Sequence, residues 1–194
     1  CILGRASSGA KTSPRGASHT EGFHDNLLEI DNPTPELGVI EPHSRFDLDG
    51  KPELVKLYED LQGFENSLIV CMFTARGMGP QYFLPEIRSL LEAATGVSLT
   101  AEGMLEVGAR GKALMHLLAA DAGYSLSTQG LPARFASPLP RGASAGKGIA
   151  PEALSAAIEE YYRLRGYDAD GPTRETLAKL GLGECLSSAD ADAR

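Results

Sequence analysis

The residues most able to do chemistry are three cysteines and four histidines in a chain of 194 residues. Cys1, Cys71 and Cys185 lie far apart and are odd in number, so they do not form a disulfide scaffold. With no C-x-x-C pair, the chain cannot assemble a four-cysteine metal site on its own. Cys71 stands in the most apolar run, Leu68-Ile69-Val70-Cys71-Met72-Phe73. A free cysteine in such a run is ordinarily an inert core residue. His19, His24, His43 and His116 show no H-x-x-x-H or H-E-x-x-H spacing. A free-standing metal hydrolase built on His19, His24 and His43 therefore lacks its usual signature, and solvated loop histidines are expected.

Two further stretches imitate binding motifs. Arg141-Gly142-Ala143-Ser144-Ala145-Gly146-Lys147-Gly148 is like a phosphate loop. However, only three residues separate Gly142 from Gly146, Gly148 stands where a magnesium-holding hydroxyl belongs, and no strand precedes it. It is expected to be a flexible connector. Tyr161-Tyr162-Arg163-Leu164-Arg165 mixes aromatic and basic residues, but Glu159, Glu160, Asp168 and Asp170 offset its charge. Arginines at a helix C-terminus, where the backbone dipole favours cations, explain it better. The formal net charge of −8 gives no basic face for nucleic acid. No apolar run nears the ~20 residues needed to cross a bilayer. Three unpaired cysteines suit a reducing cytoplasm, and a first residue of Cys1 suggests a processed or excised piece.

These residues must be positioned by helices. Residues 1–50 carry turn formers such as Ser13-Pro14-Arg15-Gly16 and Asn32-Pro33-Thr34-Pro35, and are expected to be extended loop on a partner surface. From Pro52, Leu54, Leu57, Tyr58 and Leu61 follow one helix face. A second helix is expected over 81–95, with Leu84, Ile87, Leu91 and Ala94 inward and Gly96 ending it. A third, capped by Thr100, should bury Met104, Val107, Leu114 and Leu118 before Gly123. Gly108 and Gly111 inside it each cost about 1 kcal/mol relative to alanine, which suggests a backbone packed against them. Pro151 opens a fourth helix, with Leu154, Ala157, Ile158 and Tyr161 inward and Gly166 closing it. Thr173 caps a last helix with Leu177 and Leu180, ended by Gly181, and 187–194 is a frayed tail. No strand pairing is evident. The expected fold is all-α, with the helical domain over 51–186.

Several of these motifs stand in the order of one family. Glu160-Tyr161-Tyr162-Arg163-Leu164-Arg165-Gly166-Tyr167-Asp168, then Gly171-Pro172-Thr173 through Leu180-Gly181-Leu182, resembles the C-terminal signature of the tungsten-dependent aldehyde ferredoxin oxidoreductases. Pro14-Arg15-Gly16-Ala17-Ser18-His19 resembles that family's P-R-G-x-x-H segment, and Ser67-Leu68-Ile69-Val70-Cys71-Met72-Phe73 its D-S-L-G-x-C-x-F motif. Ala94-Thr95-Gly96, Gly108-Ala109-Arg110 and Leu131-Pro132-Ala133-Arg134-Phe135 match its A-x-T-G, G-x-R and L-P-x-R-F elements.

The resemblance implies oxidation of a small aldehyde to a carboxylic acid at a tungsten (or molybdenum) bis-pterin, with electrons leaving through a [4Fe-4S] cluster to ferredoxin. It implies Cys71 as the fourth cluster ligand, the other three coming from N-terminal domains of the same enzyme or a separate subunit. It implies His19 as the catalytic histidine beside the metal, and Arg15, Asn66, Ile69 and Val70 as cofactor-binding positions. Asn66 and Ile69 depart from the family's aspartate and glycine. Isoleucine adds a side chain and disfavours positive φ. The alternative is a diverged, non-catalytic helical interaction domain that keeps the family scaffold.

Overall fold

A computed structural model describes residues 12–14, 35–44, 46–71, 84–123 and 136–184. Within them a 3₁₀ turn, Pro35–Leu37, precedes α1 (Lys51–Ser67), α2 (Leu84–Thr95), α3 (Ala101–Asp121), α4 (Pro151–Arg165), β1 (Tyr167–Asp168), β2 (Gly171–Pro172) and α5 (Arg174–Lys179). The all-α expectation holds.

The expected apolar face of α1 is real but only part of its burial. Tyr58, Leu61 and Phe64 form a core with Leu84 and Ile87 of α2 and Met104 of α3. Glu59, Asp60, Gln62 and Glu65 are buried too, so α1 is enclosed around its whole circumference along that stretch. It packs chiefly on α3 and then on α4. The α1–α3 crossing is a backbone contact. A Cβ on Gly108 would lie 1.6 Å from the Asp60 carbonyl oxygen, and one on Gly63 2.8 Å from that of Gly108. This bears out the expectation for Gly108. Gly111 differs: nothing lies within 4 Å of where its Cβ would stand.

Thr100 caps α3 as expected, its hydroxyl accepting from the Gly103 N–H at 3.1 Å. Gly166 (φ 67) and Gly181 (φ 70) lie in the left-handed region where α4 and α5 end. Two face assignments are corrected. Leu118 is 70% exposed, and Ala94 is exposed, because α2 and α3 meet the core only along Leu84–Leu91 and around Met104. Lower on α3, Ala113 forms a second core with Leu177 and Leu182, flanked by Leu114 and Leu117.

Pairing also departs from expectation. β1 and β2 form a two-residue antiparallel hairpin, Tyr167 opposite Pro172 and Asp168 opposite Gly171. It was hidden because two residues carry no alternation. In the described part of the connector Leu139 bridges Ala145, its N–H donates to the Lys147 carbonyl at 3.0 Å, and its carbonyl accepts from Gly146 at 2.9 Å. The lysine of the phosphate-loop lookalike lies over the Phe46 ring, 5.2 Å from its centroid.

Candidate functional site

The α1 C-terminus carries the cysteine. Leu68 caps the helix, and the Ile69 N–H donates to the Asn66 carbonyl (3.1 Å) while the Val70 N–H donates to that of Glu65 (3.3 Å). This is a Schellman motif, whose left-handed residue is usually glycine. Here it is Ile69, at φ 57, the lone non-glycine residue with positive φ among the described residues. The expectation that isoleucine would forfeit this conformation is corrected: the paired carbonyls and the burial of Val70 and Leu68 against the Tyr58–Phe64 core hold it there. The strain is about 1–2 kcal/mol. The Ile69 side chain is 93% exposed and recovers little by burial.

Ile69→Gly therefore removes strain at almost no packing cost, less the roughly 0.5–1 kcal/mol that glycine loses in chain entropy. The expected net gain is about 0.5–1 kcal/mol, read as a melting temperature raised by ~2 °C. An unchanged or lower melting temperature would contradict the strain assignment.

Cys71 follows directly and is exposed, with a free thiol. The buried-core expectation for this run fails at Ile69 and Cys71, because the reversal after α1 turns them outward while Val70 turns in. Asn66 is exposed on the last turn of α1, where Gln62 donates to its Oδ1 at 3.1 Å. Thus Asn66, Ile69, Val70 and Cys71 share one helix end. Arg15, His19, His24, Cys1 and Cys185 lie outside the described residues. Both ring nitrogens of His43 contact backbone carbonyls, those of Ser44 and Asp49. Among the described residues no three His, Cys, Asp or Glu side chains gather to hold a metal.

Behind this turn α1 carries a buried ionic network that the charge pattern did not reveal. Arg165 donates to Asp60 at 2.7 Å and to Glu59 at 3.0 Å. Tyr161, four residues earlier on α4, donates to Glu59 and accepts from Arg165 Nε, both at 2.5 Å. Lys56 adds a bond to Asp60 at 3.0 Å. Burial opposes the Arg165 charge, yet Asp60, Tyr161 and Glu59 hold its pKa well above the usual arginine range. Burial likewise raises that of Tyr161. The reading of Arg165 as a dipole partner is corrected: it is a buried cation clasped by two α1 carboxylates. The signal available in sequence was Glu59 and Asp60 between Tyr58 and Leu61, polar residues inside an apolar helix.

His116 of α3 completes the buried polar group. It is 3% exposed, edge-on to Tyr167 at 5.1 Å, and hydrogen-bonds the Thr12 backbone. Burial, then the charges of Arg165 and Lys112, push its pKa down to about 3. Burial raises Tyr167 to about 12. In the unfolded chain an imidazole titrates near 6.5, so the unfolded state binds the extra proton between the two values. The stability held by neutral His116 is fully present above pH 6.5 and is lost as pH falls towards 3. The loss is on the order of 5 kcal/mol, from 1.36 kcal/mol per pKa unit. Urea unfolding of His116→Leu should show a clearly shallower decline between pH 6.5 and 4. A slope equal to wild type would contradict this.

Among the described residues, then, one cysteine stands at a helix end on a mostly helical scaffold. The chain belongs to the aldehyde ferredoxin oxidoreductase family, domains 2 and 3, whose model matches residues 6–182. It is 30% identical over 179 residues to the tungsten-containing aldehyde ferredoxin oxidoreductase of Pyrococcus furiosus, covering 91% of this chain and 27% of that protein. The enzyme of the same name from Thermococcus kodakarensis is 29% identical over 181 residues, 92% of this chain and 28% of its own. The aliphatic sulfonate oxidoreductase, WOR-like subunit, of P. furiosus is 31% identical over 136 residues, 65% of this chain and 20% of that one. The chain thus spans about a quarter of the length of these relatives. The solved active-site complex BamBC of benzoyl coenzyme A reductase shares the fold, with TM-score 0.55 and 22% identity over 71% of this chain and 20% of that one. Among the described residues no helix is long and apolar enough to cross a membrane.

Proposed function

We propose that this chain is the C-terminal part of a cytoplasmic, ferredoxin-linked oxidoreductase that converts small aldehydes to carboxylic acids, with Cys71 as the fourth ligand of a [4Fe-4S] cluster. The observation that carries the reading is the exposed, free Cys71 thiol at the family's motif position, presented by a left-handed turn at the end of a helix clamped on two sides. An inert core cysteine would be covered.

The residues fit a single-ligand contribution. One thiol faces outward, and among the described residues no three His, Cys, Asp or Glu side chains gather to hold a metal, so the remaining ligands are assigned to N-terminal domains of the same enzyme or a separate subunit. A cluster bound there supplies one-electron transfer between the metal centre and ferredoxin. We assign Arg15, Asn66 and Val70 to the pterin of the tungsten (or molybdenum) cofactor. Ile69 would take part through its main chain alone, since its exposed side chain fills the space that a glycine leaves. An aldehyde and one water give the carboxylic acid, two protons and two electrons, the water supplying the oxygen and ferredoxin, through the metal centre and cluster, being the electron acceptor. His19 is assigned to hydrogen-bond the substrate oxygen and hold one of those protons, a task suited to an imidazole's near-neutral range.

The test is iron content. Co-expressed with the remaining domains, wild type should carry about four iron atoms per complex. Cys71→Ser should carry fewer, and equal iron in both would remove Cys71 from the ligand set. One observation favours the second reading, a non-catalytic interaction domain: the Ile69 side chain standing outward where the family has glycine. That reading predicts a stable complex without cluster in either form.

A further inference from the structure

Ile69 carries two penalties that its own chain does not offset. Its backbone sits in the left-handed region, and its side chain is 93% exposed, against 70% for Leu118 and 69% for Leu90. A single exposed apolar residue is ordinary on a protein surface. A β-branched one held at positive φ is not, since glycine or asparagine would make the same reversal with less strain. The turn needs the conformation and has no need of the side chain. What isoleucine adds is an apolar branch directed away from the helical body, and that direction is fixed. Leu68 and Val70, on either side, pack against the core of Tyr58, Leu61 and Phe64. The N–H groups of Ile69 and Val70 are bonded to the α1 carbonyls of Asn66 and Glu65. A surface that receives the branch therefore loses little entropy in ordering it.

We infer that Ile69 is a docking knob: its side chain seats in an apolar pocket of the protein domain that supplies the remaining ligands to the cluster proposed at Cys71. The inference rests on that proposal. Cys71, with its thiol exposed, stands two residues from Ile69 at the same helix end. Whatever completes a cluster on that thiol must lie against this turn. A second copy of the chain would bring only the same single thiol from its own turn, short of the four ligands a cluster takes. The chain spans about a quarter of the length of its relatives, so the rest of such an enzyme is the occupant that fits.

The test measures the dissociation constant between this chain and the remaining domains, co-expressed as separate chains and purified as the cluster-bearing complex. Ile69→Gly and Ile69→Asn both suit the left-handed turn, so neither endangers the fold, and both remove the apolar branch. Each should weaken the complex roughly tenfold to a hundredfold, the worth of burying one such side chain. Ile69→Gly should do so while raising the melting temperature of the chain itself, an opposition of signs that a purely structural residue would not give. Affinities equal to wild type in both variants overturn the knob. So do dimers of the chain alone that Ile69→Gly dissolves while affinity for the remaining domains is unchanged, which would seat Ile69 on a second copy. Equal iron in wild type and Cys71→Ser would remove the cluster reading, while the Ile69 affinities would still decide whether the side chain docks.

Discussion

Gly108→Ala is expected to prevent the chain from reaching its native fold under conditions where wild type is folded. The added Cβ would sit 1.6 Å from the Asp60 carbonyl oxygen and 2.9 Å from the Phe64 nitrogen. Both are main-chain atoms of α1, so no side chain can rotate away to make room. Relief requires the helices to separate, and that opens the core joining Tyr58, Leu61 and Phe64 to Met104. Overpacking a well-filled core costs about 1–3 kcal/mol even where side chains can yield. Here the expected loss exceeds about 4 kcal/mol, a large part of the 5–15 kcal/mol that typically holds a domain together. Gly111→Ala is the internal control: its Cβ meets nothing, and alanine favours a helix over glycine by about 1 kcal/mol. Circular dichroism with urea titration should find Gly111→Ala at or above wild-type stability and Gly108→Ala unfolded. Comparable stabilities for the two variants would mean that the crossing is not a backbone contact.

Arg165→Met should cost about 3–5 kcal/mol, the usual penalty for stranding charges that a removed partner had neutralised. Arg165, Glu59 and Asp60 have side chains only 2%, 3% and 1% exposed, so water cannot take over the carboxylates. Lys56 reaches Asp60 alone among them, and Tyr161 reaches Glu59 as a neutral donor. Arg165→Lys should recover the charge and not the geometry, because a single ammonium cannot span two carboxylates and the Tyr161 hydroxyl as a guanidinium fork does. It is expected between the two in urea unfolding. A loss under about 1 kcal/mol for Arg165→Met would show the carboxylates finding solvent instead.

The period of the apolar residues made the helices legible, and the glycines and threonines at their ends made most of the boundaries legible too. Thr100, Thr173, Gly96, Gly166 and Gly181 act through local backbone chemistry that needs no tertiary knowledge. What stayed hidden was tertiary. Arg165 read as a cation at a helix end, and its pairing with Glu59 and Asp60 across two helices was not foreseen. Only the enclosure of α1 by α3 and α4 turns them into a buried cluster. Leu118 fits the periodic face of α3, but the helix outruns the core that the face would meet. At the candidate site, Cys71 was legible through its motif, whereas its exposure was not: an apolar run does not disclose a chain reversal. Ile69 shows why, since a β-branched residue is the last type expected at φ 57.

The proposed role of Cys71, completing an iron–sulfur cluster shared with domains outside this chain, is open to direct spectroscopy. The most direct measurement is the low-temperature EPR spectrum of the dithionite-reduced, co-expressed complex, wild type beside Cys71→Ser. With Cys71 as a ligand, wild type gives a [4Fe-4S] signal that is lost in the variant or converted to a three-iron form. An identical signal in both, or none in either, would contradict it.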